Sequence, residues 1–545
     1  MDAKADHQFG LRVNKEGVIT QYCSSKEVVG GTYFASWCDV TKIDSNRVTA
    51  LRNLSGDDQG TSYTAKLAPN CKVYNVSNNY ISYVGEETKL RIGDRIHGQC
   101  NIYGALVIIF VVDRPDIATE PDHFHCACND KSVGIGSHIC DETAGWSPWV
   151  NTKKLPSSGN WYLTVDVTVE SGTTIPAGST LNLCLNGHTI QRVSGTGSVF
   201  VVNTGLTITD CTNSGSVISK CNAYGSIIYI NDHQTPAEVN IFAGSLQNSL
   251  SATGKDGGII YIGYNSTYEA VLNLYGGTIC GQNVGSCSGG AINIIHGNTF
   301  NMYGGTITGG SAQKGGAVSV TTGRFNMYGG LIQNGSATDG GNIHIGKGSS
   351  LYLYGGVIQN GSATNEGGNI CLYSASGLVA IYGGQITDGT AKNGGNIMLF
   401  GPLDLHSGAI TGGTATGFGG NICTWNSPTV TIKDSLVQNG SAKTGSDIAL
   451  RGTAPKLMVS SGEIGFVDVI NGSTIVSGAV IIHKLHLAGG ALTAENLLSG
   501  ASIAISMANP GTFIANCADL TAFFKPYDSG YAIIFDGANM RLEAK

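Results

Sequence analysis

A cluster of cysteine and histidine residues near residue 130 is the part of the sequence best suited to bind a metal ion. Cys126 and Cys128 are followed after a short gap by His138 and Cys140. Three thiolates and one imidazole can complete a tetrahedral site, and such sets hold structural zinc. The sequence therefore predicts a small zinc knuckle. A disulfide from Cys140 to Cys126 or Cys128, or free thiols, are the alternatives, and a four-ligand site would leave no open position for catalysis.

Three charged residues recur at one offset, each directly before a Gly-Gly pair: Lys314, Asp339 and Glu366. Two carboxyl groups about 5 Å apart are the apparatus of a retaining glycosidase, and a nearby lysine could act as the base of a polysaccharide lyase. These residues fall in Gly-rich turns, where we expect side chains to be solvated and poorly held. Since catalysis needs preorganised groups, the pattern favours a surface charge cluster over an active site.

Three aromatic residues share a second offset, five residues after the second Gly of the pair: Tyr373, Phe400 and Trp425. Strand alternation from Ile370 and Leu372 places this offset on the outside. An exposed apolar column is unusual on a soluble protein without a binding role. We therefore predict a ligand-binding surface here, for a carbohydrate or a protein; a covering loop is the alternative.

These offsets belong to a repeat of 24 to 28 residues. Its first marker is Tyr-Gly-Gly, with His406 in the last slot, and the tyrosines are Tyr275, Tyr303, Tyr328, Tyr354 and Tyr382. Each unit holds three short stretches with apolar residues at alternate positions, as in Phe300 and Met302. Three strands per repeat, separated by glycines at sharp turns, predict an all-β fold: a right-handed parallel β-helix with three strands per rung.

In such a solenoid, equivalent residues of successive rungs form columns about 4.8 Å apart. The tyrosines would then stack into a ladder, either as an exterior stabilising stack or as a platform for sugar rings. An asparagine follows several Gly-Gly pairs, which predicts a structural amide ladder. Its members are Asn342, Asn369, Asn396 and Asn421.

The predicted organisation has three parts. Residues 1–118 lack the repeat and form a small N-terminal β-barrel or β-sandwich module, which ends at a stretch with two prolines. Residues 119–158 form the Cys/His-rich connector, and residues 159–545 form the β-helix with a C-terminal cap.

Composition narrows the classes of partner. The chain has 545 residues, 79 of them Gly, only 13% charged residues and a net charge of −7. A mildly acidic chain without a basic stripe argues against nucleic acid as a partner. No apolar run is long enough to span a membrane, and Met1 does not begin a signal peptide. The count of 15 Cys leaves the redox compartment open.

Several segments resemble a known group of proteins. These are the His-x-His-Cys-x-Cys segment from His123, the LCLNGHTI segment at 183–190, the NMYGGTITGG rung at 301–310 and the closing MANPGTFIANCADL at 507–520. They are similar to the β-helix (pectate-lyase-like) surface proteins of gut Firmicutes, which are described as adhesin-like. The resemblance implies an extracellular or cell-surface location, with a signal peptide trimmed from this chain.

The function expected from these features is that of a non-enzymatic surface protein, a rigid adhesin-like solenoid that presents a face to a glycan or a host protein. Uniform repeats with few insertions and few charges favour it. A polysaccharide lyase or glycoside hydrolase of the β-helix type is the first alternative, and a phage tailspike is the second. Apart from the possible structural zinc, no cofactor is expected.

Overall fold

The computed structural model describes residues 146–220, 226–230, 235–249, 256–263 and 268–545, and before residue 146 the backbone of individual strands. All of the elements described are β-strands. The chain divides into two compact units, residues 1–147 and 148–545, and each is described by itself. The predicted boundaries near residues 118 and 158 stay predictions.

The first unit contains a six-stranded sheet whose pairings close on themselves. The strands are Cys38–Asp44, Arg47–Arg52, Ser62–Ser77, Tyr80–Glu86, Arg95–Cys100 and Leu106–Asp113. Ser62–Ser77 pairs antiparallel with Arg47–Arg52 and parallel with Leu106–Asp113, and this completes a ring of five strands. The ring of pairings is that of a small barrel, as predicted. Two antiparallel pairs lie outside it: Phe9–Val13 with Ile19–Ser24, and Phe124–Cys126 with Thr143–Gly145.

The second unit is a parallel β-helix, which confirms the predicted fold. Its strands pair parallel with the equivalent strand of the next rung and build three long sheets. Sheet A holds the five strands that run into Tyr-Gly-Gly and their equivalents in the other rungs. Its strands are Gly159–Leu163, Thr180–Cys184, Gly205–Thr209, Ala237–Ile241, Ala270–Leu274, Asn298–Met302, Gly323–Met327, Ser350–Leu353, Leu378–Ile381, Leu403–Leu405 and Thr429–Ile432.

Sheets B and C follow sheet A in each rung. Sheet B contains Val167–Val169, Thr189–Arg192, Ser216–Ser219, Ser245–Asn248, Thr278–Asn283, Thr306–Lys314, Leu331–Gln333, Val357–Gln359, Gln385–Thr387, Gly408–Thr411 and Ser435–Gln438. Sheet C contains Thr173–Ile175, Phe200–Val202, Ile228–Ile230, Ile260–Ile262, Ile292–Ile294, Val318–Val320, Ile343–Ile345, Ile370–Leu372, Ile397–Leu399, Ile422–Thr424 and Ile448–Leu450. Ser147–Trp149 precedes the first rung.

The middle rungs contain a fourth strand that the sequence analysis did not count. It lies between sheets B and C and begins as the second half of Thr306–Lys314. The further strands of this sheet D are Ser336–Asp339, Ser362–Glu366, Thr390–Asn393 and Thr414–Phe418. Sheet D contains the Ser/Thr-Ala pairs of the repeat, and register pairs Ala312 with Ala337 on the next rung. The three predicted strands per rung are therefore joined by a fourth along this part of the solenoid.

Glycine is required at the Tyr-Gly-Gly turn for two separate reasons. Gly330 has a φ of +89°, a conformation that residues with a Cβ rarely adopt. At Gly329 a Cβ would lie 2.7 Å from the carbonyl oxygen of Tyr303 on the preceding rung. The spacing of the rungs therefore leaves no room for a side chain at this corner.

The asparagines that follow the Gly-Gly pairs form the predicted amide ladder. Asn342, Asn369 and Asn396 each donate from Nδ2 to the side-chain oxygen of the next asparagine, at 2.7 to 2.8 Å. Asn421 ends the ladder by donating to Asp447 Oδ1 at 2.8 Å. Each asparagine also accepts a backbone N–H, for example Gly389 N to Asn396 Oδ1 at 2.9 Å. These buried amides hold the base of each sheet D strand in place.

The alternating residues of sheet A point as predicted. Phe300, Met302, Phe325 and Met327 are fully buried, and the rings of Phe300 and Phe325 stack at 4.5 Å. Each such side chain contributes about 1.5–3 kcal/mol through burial.

The last rungs are built from longer strands and a closing sheet. Lys456–Val469 and Ser473–Leu487 each run through all three sheets of a rung, and they are followed by Ala491–Leu497, Ser502–Met507 and Phe524–Pro526. An antiparallel sheet of Gly511–Ile514, Tyr531–Phe535 and Met540–Ala544 completes the chain, with Met540 and Leu542 buried against the core.

Candidate functional site

The outer side of sheet C is buried wherever sheet D is present. In the early rungs the middle residue of the sheet C strand points outward and is half-exposed, as at Val201, Tyr229 and Tyr261, whereas Asn293, in the rung just before sheet D begins, is already buried. The equivalent residues in the four-stranded rungs are all buried. They are Ser319, His344, Cys371, Met398 and Cys423, followed by Ala449. Outward side chains diverge at a convex corner, so this burial means that sheets C and D meet at a concave one. We call it the C–D corner.

The C–D corner changes from polar to apolar along the solenoid. Its early rungs contain Ser319 and His344, whereas the later ones form a separate apolar cluster of Cys371, Met398, Cys423 and Ala449. Phe400 and Phe418 pack against this cluster. The corner therefore has one end suited to polar groups and one suited to apolar surfaces.

The structure brings Lys314, Asp339 and Glu366 together at the polar end. They occupy paired positions on adjacent strands of sheet D, and the same column continues through Asn393 to Phe418. Asn365 Nδ2 donates to Asp339 Oδ1 at 3.3 Å. The expectation that this offset is solvated is wrong for the two carboxyl groups, because the concave corner buries them partly.

Burial raises the pKa of both carboxyl groups. For Glu366 it outweighs the hydrogen bond that Asn393 Nδ2 donates to Oε1 at 3.2 Å. Glu366 Oε2 is buried without a hydrogen-bond partner among the described residues. Burial likewise raises the pKa of Asp339, against the hydrogen bond from Asn365 and the charge of Lys314, which both lower it. The corner thus holds one buried carboxyl oxygen, Glu366 Oε2, that has no hydrogen-bond donor among the described residues.

His344 is a member of the polar end that the sequence did not single out. Burial, with a contribution from the charge of Lys314, lowers its pKa to about 3. Within the described chain neither ring nitrogen has a hydrogen-bond partner, and the ring lies 5.8 Å from that of Tyr373. The imidazole is therefore neutral at physiological pH, and both of its nitrogens are buried. In the sequence His344 is the middle residue of a short strand, and nothing in that pattern marks it as part of a site.

The predicted aromatic column lies along the rim of the C–D corner. Tyr373 and Trp425 are 49% and 41% exposed, and Phe400 between them is half-buried. The rings of Tyr373 and Phe400 are 5.1 Å apart and tilted by 45°. Lys314 Nζ lies 5.6 Å from the centroid of Tyr373. The predicted charged and aromatic residues therefore belong to one surface.

The next position of this column is Arg451, which the sequence analysis missed. Cys423 pairs with Ala449, which places Trp425 opposite Arg451. The guanidinium carbon lies 4.0 Å from the ring centroid of Phe418 and 4.2 Å from that of Trp425. Arg451 does stand in the shared slot of the repeat, but Gly445-Ser446-Asp447 replaces the Gly-Gly-Asn that marks it elsewhere.

The tyrosine ladder is a different kind of surface. From Tyr275 to Tyr382 the rings stack nearly parallel at 4.8 to 5.2 Å, with Phe242 before them and His406 after them. Each inner ring uses both faces against its neighbours and shows only its edge to solvent. A sugar ring stacks on an aromatic face, so this geometry supports the stabilising interpretation of the ladder.

The predicted metal ligands lie outside the residues whose side chains are described. The backbone pairs Cys126 with Thr143, and Cys128, His138 and Cys140 lie outside the described residues. Zinc, disulfide and free thiols remain open there. Elsewhere, the described residues contain no group of three or more His, Cys, Asp or Glu side chains placed to bind a metal ion.

Comparison with known proteins gives no family for this chain: no family model, curated protein or solved structure matches it. The resemblance to surface β-helix proteins stays a prediction. Among the described residues there is no helix long and apolar enough to cross a membrane.

Proposed function

We propose that the protein is an extracellular, adhesin-like solenoid that binds an extended glycan along the C–D corner. One observation carries the proposal: Tyr373 and Trp425 directly follow sheet C strands, their backbone N–H groups donate to the preceding rung, and large parts of their rings are exposed. Aromatic rings in fixed positions bind sugar rings at small entropic cost. From Tyr373 to Arg451 the column spans three rung intervals, or about 14 Å at 4.8 Å each.

The neighbouring polar groups support a glycan over a protein partner. Lys314 and Asp339 are half-exposed, occupy paired positions, and Lys314 lies beside Tyr373, so they can exchange hydrogen bonds with hydroxyl groups. A ligand dense in hydroxyls matches a surface that combines aromatic rings with such charged groups.

A glycan array probed with the full chain tests the proposal. We expect binding that is lost in the double variant Tyr373→Ala/Trp425→Ala. The matched control is Tyr303→Ala/Tyr354→Ala, which removes two rings of similar exposure, 41% and 43%, from the tyrosine ladder. Equal loss in both variants, or retained binding in the first, would contradict a site at the C–D corner. Binding to host proteins but to no glycan would mean that the C–D corner binds a protein partner.

Glycoside hydrolysis is the second candidate, favoured by the raised pKa of Glu366 beside Asp339. The rung spacing of about 4.8 Å is close to the separation of the two carboxyl groups in retaining enzymes. Glu366 would protonate the glycosidic oxygen, Asp339 would attack the anomeric carbon, and water would then release the sugar. The test is release of reducing ends from the array ligands, with Glu366→Gln as the variant. Stable binding without release would reject hydrolysis and leave the adhesin.

A further inference from the structure

Arg451 differs from the other arginines of the β-helix in what its guanidinium contacts. Arg192 donates to four backbone carbonyls, Arg324 lies 5.4 Å from the centroid of a single ring, that of Tyr352, and Arg541 lies within ion-pair distance of Asp536 and Glu543. Arg451 instead has an aromatic ring within 4.2 Å of its guanidinium carbon on two sides. In the described part of the chain no carboxylate forms an ion pair with it.

The two rings orient the guanidinium without satisfying its donors. A guanidinium carries five N–H donors in one plane, and the rings of Phe418 and Trp425, whose centroids lie 4.0 and 4.2 Å from the guanidinium carbon, offer these donors no oxygen acceptor. The positive charge of Arg451 lowers the pKa of the Cys423 thiol and of the Glu366 carboxyl group, against the effect of burial on both. Among the described residues, however, no carboxylate lies within ion-pair distance of its donors.

A pocket of about 380 Å³ lies beside the side chain of Arg451. Trp425, Arg451, Thr453 and Asn471 line it, and Asn471 Nδ2 donates to Gly452 O at 2.8 Å, which fixes the far wall. The volume lies at the lower end of the range for small-ligand sites. The pocket can accept one substituted ring beside the indole of Trp425.

We infer that this pocket is a subsite for an acidic sugar, whose carboxylate pairs with the edge of Arg451 while its ring lies against Trp425. The planar fork of arginine matches the two oxygens of a carboxylate in a way that a lysine does not. Flanking aromatic rings exclude water and strengthen the pairing. The inference rests on the proposed glycan-binding function and names the ligand class at one end of the same surface.

Paired probes separate this subsite from glycan binding in general. The full chain is titrated with oligosaccharides of glucuronic acid and N-acetylglucosamine and with their carboxyl-reduced, neutral counterparts. We expect the acidic form to bind at least tenfold more tightly. In Arg451→Gln the two forms should bind equally, at the level of the neutral probe. Arg451→Lys should recover only part of the preference, because it restores the charge without the fork.

Three outcomes would overturn the inference, and they separate its failure from that of the proposed function. Neutral and acidic probes that bind the native chain equally, with binding still lost in Tyr373→Ala/Trp425→Ala, would leave the glycan function intact without an acidic subsite. An acid preference that survives in Arg451→Gln would place the anion elsewhere. Absence of binding to either probe and to the whole array would remove both proposals. Unfolding temperatures of the Arg451 variants show whether the contacts of Arg451 with Phe418 and Trp425 are needed for folding. Arg451→Lys keeps the test valid if Arg451→Gln unfolds.

Discussion

Glu366 is a carboxyl group that the fold holds partly away from water. Burial raises its pKa in the folded chain, so its proton is bound more tightly there than in the unfolded chain. A carboxyl group of this kind contributes most stability below its unfolded pKa, and that contribution is lost as the pH rises through the folded pKa. The ionised form of Glu366 is therefore the form that destabilises the folded chain.

We expect Glu366→Gln to raise the unfolding temperature at neutral pH by about 1–2 °C. The amide has the same shape and carries no charge. The advantage should vanish below about pH 4, where the wild-type carboxyl group is itself protonated. Thermal unfolding at a series of pH values measures this, with the exposed Glu495→Gln as control. A variant less stable than the wild type at neutral pH would show that the corner stabilises the carboxylate.

At the scale of the element, the asparagine ladder is the most demanding part of each rung. Asn396 makes four hydrogen bonds, two through Oδ1 and two through Nδ2. Its removal leaves the buried N–H of Gly389 without the acceptor that it has in the folded chain. An unsatisfied buried donor costs about 1–3 kcal/mol, and the lost bonds add to this.

Asn396→Ala should therefore destabilise its rung by about 2–4 kcal/mol. Amide hydrogen exchange at Gly389 and Gly413 reports the change locally, because a solenoid can open one rung at a time. Lys392→Ala changes an exposed residue of the same rung and serves as the control. Equal exchange in the two variants would mean that water replaces the amide without cost.

The tyrosine ladder leads to a separate prediction, because its energy comes from stacking. Tyr328 stacks on Tyr303 and Tyr354, each at 4.9 Å. At about 0.5–1.5 kcal/mol per pair, Tyr328→Ala should cost about 1–3 kcal/mol, and Tyr328→Phe should cost little. Urea unfolding measures both variants. Glycan binding should persist in both variants. Loss of binding would mean that the tyrosine ladder also contacts the glycan.

The sequence predicted these columns well and the C–D corner poorly, for one physical reason. A strict period places residues in register, so the tyrosine and asparagine ladders follow from counting. Whether an outward residue is exposed depends on the angle between two sheets, and the pattern around His344 or Cys371 carries no signal for that angle. Sheet D was missed because its Ser/Thr-Ala segment has one small inward residue instead of an alternating apolar set. Asp339 and Glu366 were consequently expected in water.

At the scale of the whole molecule, a solenoid must cover its last rung, because that rung has no successor. Phe513, Phe524 and Met540 are buried there, and Phe524–Pro526 pairs with Ser502–Met507. The strand Ala491–Leu497 is the last of sheet A. Removing residues 509–545 would expose both strand edges and the core beneath them.

A chain that ends at Ala508 should therefore self-associate through its exposed edges, as uncapped repeat proteins do. Sedimentation velocity at two protein concentrations should show a sedimentation coefficient that rises with concentration in the shortened chain and stays constant in the full chain. Thr493→Lys in the shortened chain places a charge on the terminal strand of sheet A and should reduce association, since an edge lysine opposes strand pairing. Association that this substitution leaves unchanged would mean that the exposed core, and not the strand edge, is the surface that joins the chains.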